Sequence, residues 1–455
     1  HEIEEYLRQD TGKPYISCEY MHAMGNSLGG MRHYTELEDK YPAYQGGFIW
    51  DYIDQAIYKA DDIGRRFLAC GGDFDDRPSD YGFCTNGILY ADRTPSPKVQ
   101  EVKALYSNIK ISIKDKVVRV DNRNLFADTS SLIFKTFLES EGRLLDTEEH
   151  RLNIEPGKCG SFEVGLSIPN CGSECVLTVS AVLAEDNQWA EKGHEIAFAQ
   201  EIVCAGCADI RNTSESAAEI IYGDFCIGIQ GKDFSVMFDK REGGISSLVY
   251  GGAEYITRVP KISFWRAMTD NDTGAGYPYE MAQWYIAGRH AKHLSEKFRT
   301  EEKSDSLELE FTFATPAVPK FEYRVIYKVY FDGRIAVKAE YPGVSGLSDM
   351  PVFAMDFMLK KQYGNFTYYG FGPDENYADR CCGTRLGLFE SSAADNFSRY
   401  LNPQECGSRT GVRYVKVYDD NGSGIRLGYV KEPFSMSVLP YSAYELDCAM
   451  HIKDL

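Results

Sequence analysis

Residues Lys13 to Gly30 read KPYISCEYMHAMGNSLGG, and the fold assignment turns on this stretch. Lys13 and Pro14 open a short apolar segment whose Tyr15 and Ile16 predict a buried strand over 15–18. Cys18, Glu19, Tyr20 and His22 follow in quick succession, and Gly25-Asn26 breaks the run before a helical pattern starts. A carboxylate at the exit of a buried strand, followed by a glycine turn, is how an α/β barrel presents polar groups at one face.

The flanking sequence extends this pattern. Upstream, Ile3, Tyr6 and Leu7 give one face of a short helix ending at Gly12. Downstream, Asn26 or Ser27 is placed to cap a helix in which Leu28, Met31, Tyr34 and Leu37 recur at helical spacing, and Pro42 stops it. Gly46 to Asp51 then reads as a second buried strand with a polar exit. Helix, strand, helix, strand predicts parallel βα units over residues 1–106. Two strands cannot close a barrel, so the remaining strands are expected upstream. The first residues, HEIEEYLRQD, resemble neither an initiator methionine nor a signal peptide, so a chain cut from a longer protein is expected. Asp61 to Pro97 has little periodicity and many Gly, Asp and Pro; a segment that long is expected to be a functional loop.

The pattern changes near residue 107. Ile109, Ile111 and Ile113 alternate with polar residues, as do Phe162, Val164, Leu166 and Ile168, and Leu177, Val179, Ala181 and Leu183. That period predicts a small antiparallel sandwich, immunoglobulin-like in size, over 107–205, with the role of a spacer. Residues 206–455 are also strand-rich. Leu307, Leu309, Phe311 and Phe313 alternate, and Tyr323 to Phe331 runs through Asp332-Gly333 into Ile335, Val337 and Ala339, a hairpin signal repeated at Asn421-Gly422. A large terminal β-sandwich is the expectation. The fold class is therefore multidomain α/β plus all-β: part of a (β/α)8 barrel, an immunoglobulin-like sandwich and a large antiparallel sandwich.

Composition bounds the function. A formal charge of -19 disfavours phosphate backbones, so no nucleic-acid partner is expected. The sequence has no run of eighteen apolar residues, so no membrane span is expected either. The 13 cysteines are scattered without CxxC pairs; Cys381-Cys382 are adjacent and Cys171 and Cys175 flank a Gly-Ser-Glu turn, neither with zinc-site spacing. Free thiols in a reducing compartment are the expectation, hence a cytoplasmic location with the periplasm left open.

At the level of single residues, Glu19 is the candidate nucleophile. A glutamate after a buried strand also serves as a structural ion pair, but here Tyr20 and His22 can donate hydrogen bonds. Glycoside hydrolysis with retention needs one ionised carboxylate and a second, protonated one about 5–5.5 Å away. Trp50, at the end of the neighbouring strand, could offer its face to a sugar or pack in a core. Phe83, Cys84, Thr85, Asn86 and Gly87 offer oxygens suited to a hard cation. His290 and His293 read as surface histidines.

CEYMHAMGNSLGG, YQGGFIWDYIDQ, GGDF and FCTNGILYADRTPSP closely resemble the end of the catalytic barrel in the large bacterial β-galactosidases of glycoside hydrolase family 2. FWRAMTDNDTGAG and YYGFGPDENYADR resemble that family's terminal sandwich domain. The resemblance implies that Glu19 is the nucleophile that forms the galactosyl-enzyme. It implies substrate contacts from His22, Trp50, Tyr20 and Asn86. It also implies a sodium ion on the Phe83 carbonyl and the Asn86 side chain, and a mobile active-site loop at Thr273–Tyr277 with Gly274 as hinge. The family's acid/base glutamate and most magnesium ligands fall upstream of residue 1, Ser79 stands where a metal-binding Asn is common, and a late sugar-stacking Trp falls beyond Leu455. Na+ and Mg2+ are thus the implied cofactors and a β-galactoside the implied substrate. A homo-oligomer is expected for the intact enzyme, and low activity for this chain alone. The alternatives are a β-glucuronidase-like member of the same family, or a noncatalytic carbohydrate-binding or assembly fragment.

Overall fold

The computed structural model describes residues 2–9, 12–169, 172–206, 217–299 and 305–455; Cys171 lies outside the described residues. The chain is mostly strand with few helices. At its start, α1 (Glu2–Leu7) leads to β1 (Tyr15–Tyr20), α2 (Arg32–Lys40) and β2 (Tyr44–Ile49). β1 and β2 pair in parallel, Tyr15 opposite Tyr44 and Tyr20 opposite Ile49, so α2 is the crossover of a βαβ unit. β3 (Ile57–Ala60) pairs as a hairpin with β4 (Arg66–Ala69), and β4 and a short 3-10 turn at Tyr81–Cys84 fall in the segment expected to be irregular, Asp61 to Pro97. The helix α3 (Lys98–Tyr106) ends this region.

Two expectations for this region are corrected. The strands are not buried: Ile16 is 55% exposed and Phe48 67%, because the described chain places nothing over those faces. The helix after the glycine turn starts at Arg32, with Met31 at its N-cap and no side-chain cap. Leu28 takes a left-handed φ of 66°, so it and Met31 anchor a buried turn instead of a first helical turn. Asn26 is held elsewhere, as described below.

Seven strands follow. Leu132–Ser140, Arg143–His150, Cys175–Leu183 and Glu195–Cys204 form one antiparallel sheet, and Ile109–Lys114, Val117–Asn122 and Lys158–Glu163 another. Val118, Val120, Phe134, Leu138, Leu177 and Val179 fill one core. Strict alternation fails at Cys175–Leu183, which is buried at every position. Its second face is covered too, since Val176 packs with Tyr369 and Leu386. Gln200 brackets Leu386 through both backbone groups at 3.0 and 2.7 Å, and Arg413 forks onto Glu174 at 3.0 and 3.1 Å. This region is docked on the last part of the chain.

Beyond residue 217 the strands are antiparallel. The expected hairpin pairs Val329 with Ile335 around Gly333, whose φ is 94°. Phe238, Phe311, Val325 and Tyr327 lie in the largest core cluster, where Phe311 meets Phe238 and Tyr327 at 6.0 Å between ring centres. Trimming Phe311 to Ala should cost about 3–5 kcal/mol, whereas Leu294→Ala, on a half-exposed side chain, should stay within about 0.5 kcal/mol. Urea unfolding monitored by tyrosine and tryptophan fluorescence checks the pair.

Candidate active site

β1 ends one residue after Glu19, and side chains on a strand alternate in direction. Glu19 therefore points away from Tyr20. Its carboxylate is half-exposed, and its Oε2 lies 3.8 Å from His22 Nε2. Trp50 leaves the end of β2 and puts its ring 6.5 Å from that of His22, tilted by 32°. A backbone bond from Ala23 N to Trp50 O, 2.8 Å, ties the two strand exits together. Glu19, His22 and Trp50 thus share one open face at the end of the parallel pair.

Tyr20 is not brought to that face. Its hydroxyl pairs with Tyr106 at 2.8 Å and its ring meets Tyr34 edge-on at 5.2 Å. Burial, then the Tyr106 hydroxyl, pushes its phenol further up from its ordinary value.

The turn after His22 is fixed from several directions. Lys98, almost fully buried, donates Nζ to the carbonyls of Ala23 at 2.6 Å and Gly25 at 3.0 Å. Burial lowers its ammonium to about 8, with Asp54 opposing the shift. Asn26 is gripped three ways by the last part of the chain. Its N–H donates to Gln404 Oε1 at 3.0 Å and its Nδ2 to the Glu405 carbonyl at 2.8 Å, while its Oδ1 accepts from Arg380 Nη2 at 2.9 Å. Glycine is required here by contact. Gly25 sits at φ 49°, where a side chain would strike the Gln404 amide, and a Cβ on Gly29 would lie 1.8 Å from Asp379 Oδ2.

Arg380 is itself held by Glu375 at 2.7 Å, both side chains 1% exposed. The Glu375 carboxylate also accepts from Tyr400 at 2.5 Å, Ser398 at 2.7 Å and the Gly407 N–H at 2.6 Å. Burial by itself would raise this carboxyl; Arg380 and those donors outweigh it and hold it below the usual range. Glu405 lacks such a set. Burial pushes it up to about 7, against Arg266 and reinforced by Glu375 and Asp272.

The segment with the proposed hinge is helical. α4 (Asp270–Gly274) opens with a Thr269–Asp272 capping box, and Gly274 ends it with open space where a Cβ would stand. The left-handed residue is Gly276, φ 81°, before α5 (Tyr277–Glu280). Asp270 accepts from Gln404 at 2.9 Å and Asn402 at 3.1 Å, so α4 is linked through Gln404 to the turn after His22. Asn86 is buried, its Nδ2 donating to the Phe83 carbonyl at 3.1 Å and its Oδ1 left without a partner. His293 is not a surface residue. Its side chain is buried between Phe311 and Phe313, 5.6 Å from each ring, while His290 is exposed. Lys98, Arg380 and Gln404 went unnoticed in the sequence. A lysine beside Ser96-Pro97 and an arginine closing a motif dense in special residues were the available signals.

Residues 1–111 match the family described as "Glycosyl hydrolases family 2, TIM barrel domain", 118–203 "Beta-galactosidase, domain 4", and 230–455 "Beta galactosidase small chain". The chain belongs to glycosyl hydrolase family 2. Within that family its relatives are β-galactosidases. The protein from Halalkalibacterium halodurans is 46% identical over 100% of this chain and 45% of its own length. That from Streptococcus thermophilus is 44% identical over 99% and 43%, and that from Clostridium acetobutylicum 48% over 86% and 43%. The chain therefore spans less than half the length of the curated relatives it matches. A solved beta-glucuronidase 2 from Bacteroides uniformis aligns at 12% identity with a TM-score of 0.21, over 79% of this chain and 42% of that one, too weak a likeness to carry an argument.

Removing Arg380 strands a buried carboxylate. Arg380→Met should destabilise by about 3–5 kcal/mol, and adding Glu375→Gln should recover part of that loss; thermal unfolding at pH 7 reads both. The pH dependence has two signs. Glu375, lowered in the folded state, stabilises above the unfolded glutamate range and loses that contribution as pH falls through its folded value. Glu405, raised to about 7, binds its proton more tightly folded than unfolded, so its contribution declines as pH rises from the unfolded glutamate range towards 7. Glu405→Gln should flatten the second decline and leave the acid-side loss intact.

Proposed function

We propose that this chain carries the nucleophile of a retaining β-galactosidase. The observation that supports it is the grouping of Glu19, His22 and Trp50 on one open face at the ends of β1 and β2. In this reading residues 1–106 are the last part of a (β/α)8 barrel, 107–205 an immunoglobulin-like sandwich and 206–455 a large terminal sandwich. The exposed apolar faces of β1 and β2 favour it, since parallel sheets are covered on both sides in folded proteins.

The chemistry follows from the carboxylate. Glu19 attacks the anomeric carbon as the glycosidic bond breaks, giving a galactosyl-enzyme; water then attacks the same carbon, freeing Glu19 and galactose with net retention. The half-exposed His22 Nε2 is placed to donate to sugar hydroxyls, and Trp50 to cover the apolar side of the ring. The general acid is assigned to sequence outside residues 1–455.

The Asn86 and Phe83 oxygens fit a hard monovalent cation. Asn86 Oδ1 is a buried acceptor with no partner, beside a carbonyl in the same turn. Asn86 and Phe83 would hold a sodium ion, and the ion would offer a sugar hydroxyl a direct ligand position. The residues that the resemblance assigns to magnesium mostly lie outside this chain, and no step is assigned to that ion.

In an enzyme containing this chain, Glu19→Gln should lower aryl galactoside turnover by at least about 10⁴-fold, and a 2-fluoro-galactosyl trap should label Glu19 by mass spectrometry. Labelling of another carboxylate, or preferred hydrolysis of an aryl glucuronide, would overturn the assignment. The purified chain alone should turn over little aryl galactoside, since absent acid catalysis costs about 10²–10⁴-fold.

A further inference from the structure

A cluster outside the proposed sugar site brings together three kinds of metal donor. β4 ends at Ala69, and Cys70 follows with its side chain buried. The chain turns through Gly71 and Gly72 so that Asp73 accepts the Cys70 N–H at 2.9 Å. His451 reaches this turn from the other end of the sequence, its Nε2 3.0 Å from Asp73 Oδ1 and 3.2 Å from Oδ2. The Cys70 sulfur, one Asp73 oxygen and a His451 nitrogen all lie within 4.8 Å of one another. In a tetrahedral site with bonds of about 2.0–2.3 Å, ligand atoms stand about 3.3–3.8 Å apart, so the Asp73–His451 contact at 3.0 Å opens slightly and any separation near 4.8 Å closes by about 1–1.5 Å as an ion enters.

We propose that Cys70, Asp73 and His451 bind a divalent ion of the zinc class, joining the end of the chain to the turn after β4. Thiolate and imidazole select zinc-like ions over sodium, magnesium or calcium. Ligation replaces the thiol's S–H bond with an S–metal bond and releases the proton to solvent. A fourth position stays open for water.

The surroundings suit a cation. The second ring nitrogen of His451, Nδ1, faces Asp454 Oδ2 at 3.7 Å, the kind of carboxylate that orients a metal-bound imidazole. Asp76 lies on the same loop, accepting the Gly72 and Phe74 N–H groups. Two ammonium groups compete. Lys59 donates to the Asp73 backbone carbonyl, not to its carboxylate. Lys453 stands 3.9 Å from Asp73 Oδ1 and over the Phe67 ring at 4.3 Å; its half-exposed side chain can swing into solvent as an ion enters. The site also adjoins the turn carrying Phe83, since Gly71 N donates to the Tyr81 carbonyl at 3.1 Å.

Cobalt(II) titration of the reduced, metal-free chain tests this without any glycoside assay. The expected result is one equivalent bound, with a thiolate-to-cobalt charge-transfer band and the visible bands of a four-coordinate site, both bleached by zinc. Cys70→Ser should lose the charge-transfer band. His451→Gln, on a partly exposed segment that the core does not need, should weaken cobalt binding by at least about tenfold and abolish the rise in unfolding temperature on adding zinc. No thiolate band at stoichiometric cobalt would overturn the proposal, leaving Asp73, His451 and Lys453 as an ion-pair cluster only. An equal band in Cys70→Ser, or unchanged affinity in His451→Gln, would overturn it by placing the ion on other cysteines.

Discussion

A buried ion pair is a poor stabiliser when it stands alone, because desolvating both charges costs more than their attraction returns. In the Arg380–Glu375 pair the carboxylate offsets part of that cost with three further donors and the guanidinium reaches out to Asn26, while Arg380 Nε and Nη1 stay buried without a hydrogen-bond partner. The pair therefore ends on the turn after Glu19, more than three hundred residues away in sequence. With Gln404 and the Glu405 carbonyl it leaves Asn26 no rotamer freedom. The close approach at Gly25 and Gly29 follows from the same contact, since the gripping loop lies where their side chains would be. The turn after Glu19 is in this sense shaped by the terminal part of the chain.

The strand that carries Glu19 is less well supported. β1 has one parallel neighbour, and Ile16 and Phe48 remain open. The asymmetry shows at the carboxylate. His22 is its one ionic partner among the described residues, whereas the turn a few residues later is held by Trp50, Lys98, Arg380, Gln404 and Glu405. Contacts among the described residues thus fix the exits of the strands more firmly than the Glu19 carboxylate.

This asymmetry also explains what could be read from residues alone. Antiparallel ladders and Gly turns follow from local rules, so the 306–340 meander and the Asn421-Gly422 turn were legible. Glu19 and Trp50 stand out because each is a polar or aromatic group at the end of a strand-like run, and Asn86 because it adds an amide oxygen to a turn rich in carbonyls. Asn26 resembles a helix cap by spacing, yet contacts from residues 380–405 outcompete the local N–H groups, which no local pattern contains. His293 reads as a surface residue because it has no Cys or His partner nearby, but on its edge strand its ring packs against Phe311 and Phe313. Gly274 and Gly276 are indistinguishable by composition, and only the backbone shows that the second bears the left-handed turn. The continuous burial of Cys175–Leu183 required knowing that a second sheet covers its far side.

Charge balance at the shared interface follows from the same geometry. Asp54, Asp270, Asp272, Glu375 and Glu405 face Lys98, Arg266 and Arg380, so the carboxyls outnumber the cations. Those with dedicated donors keep their charge: Asp272 has Arg266 and the Thr269 groups, and Glu375 has Arg380 and its hydroxyls. Burial also raises Asp54, and Glu405, fully buried without a comparable donor set, is raised to about 7. Its backbone carbonyl is one of the three groups that hold Asn26. Ionising its side chain places an under-compensated charge next to that contact, so the weakest point in the grip on the turn after Glu19 is electrostatic, where the glycine contacts themselves are steric and insensitive to pH.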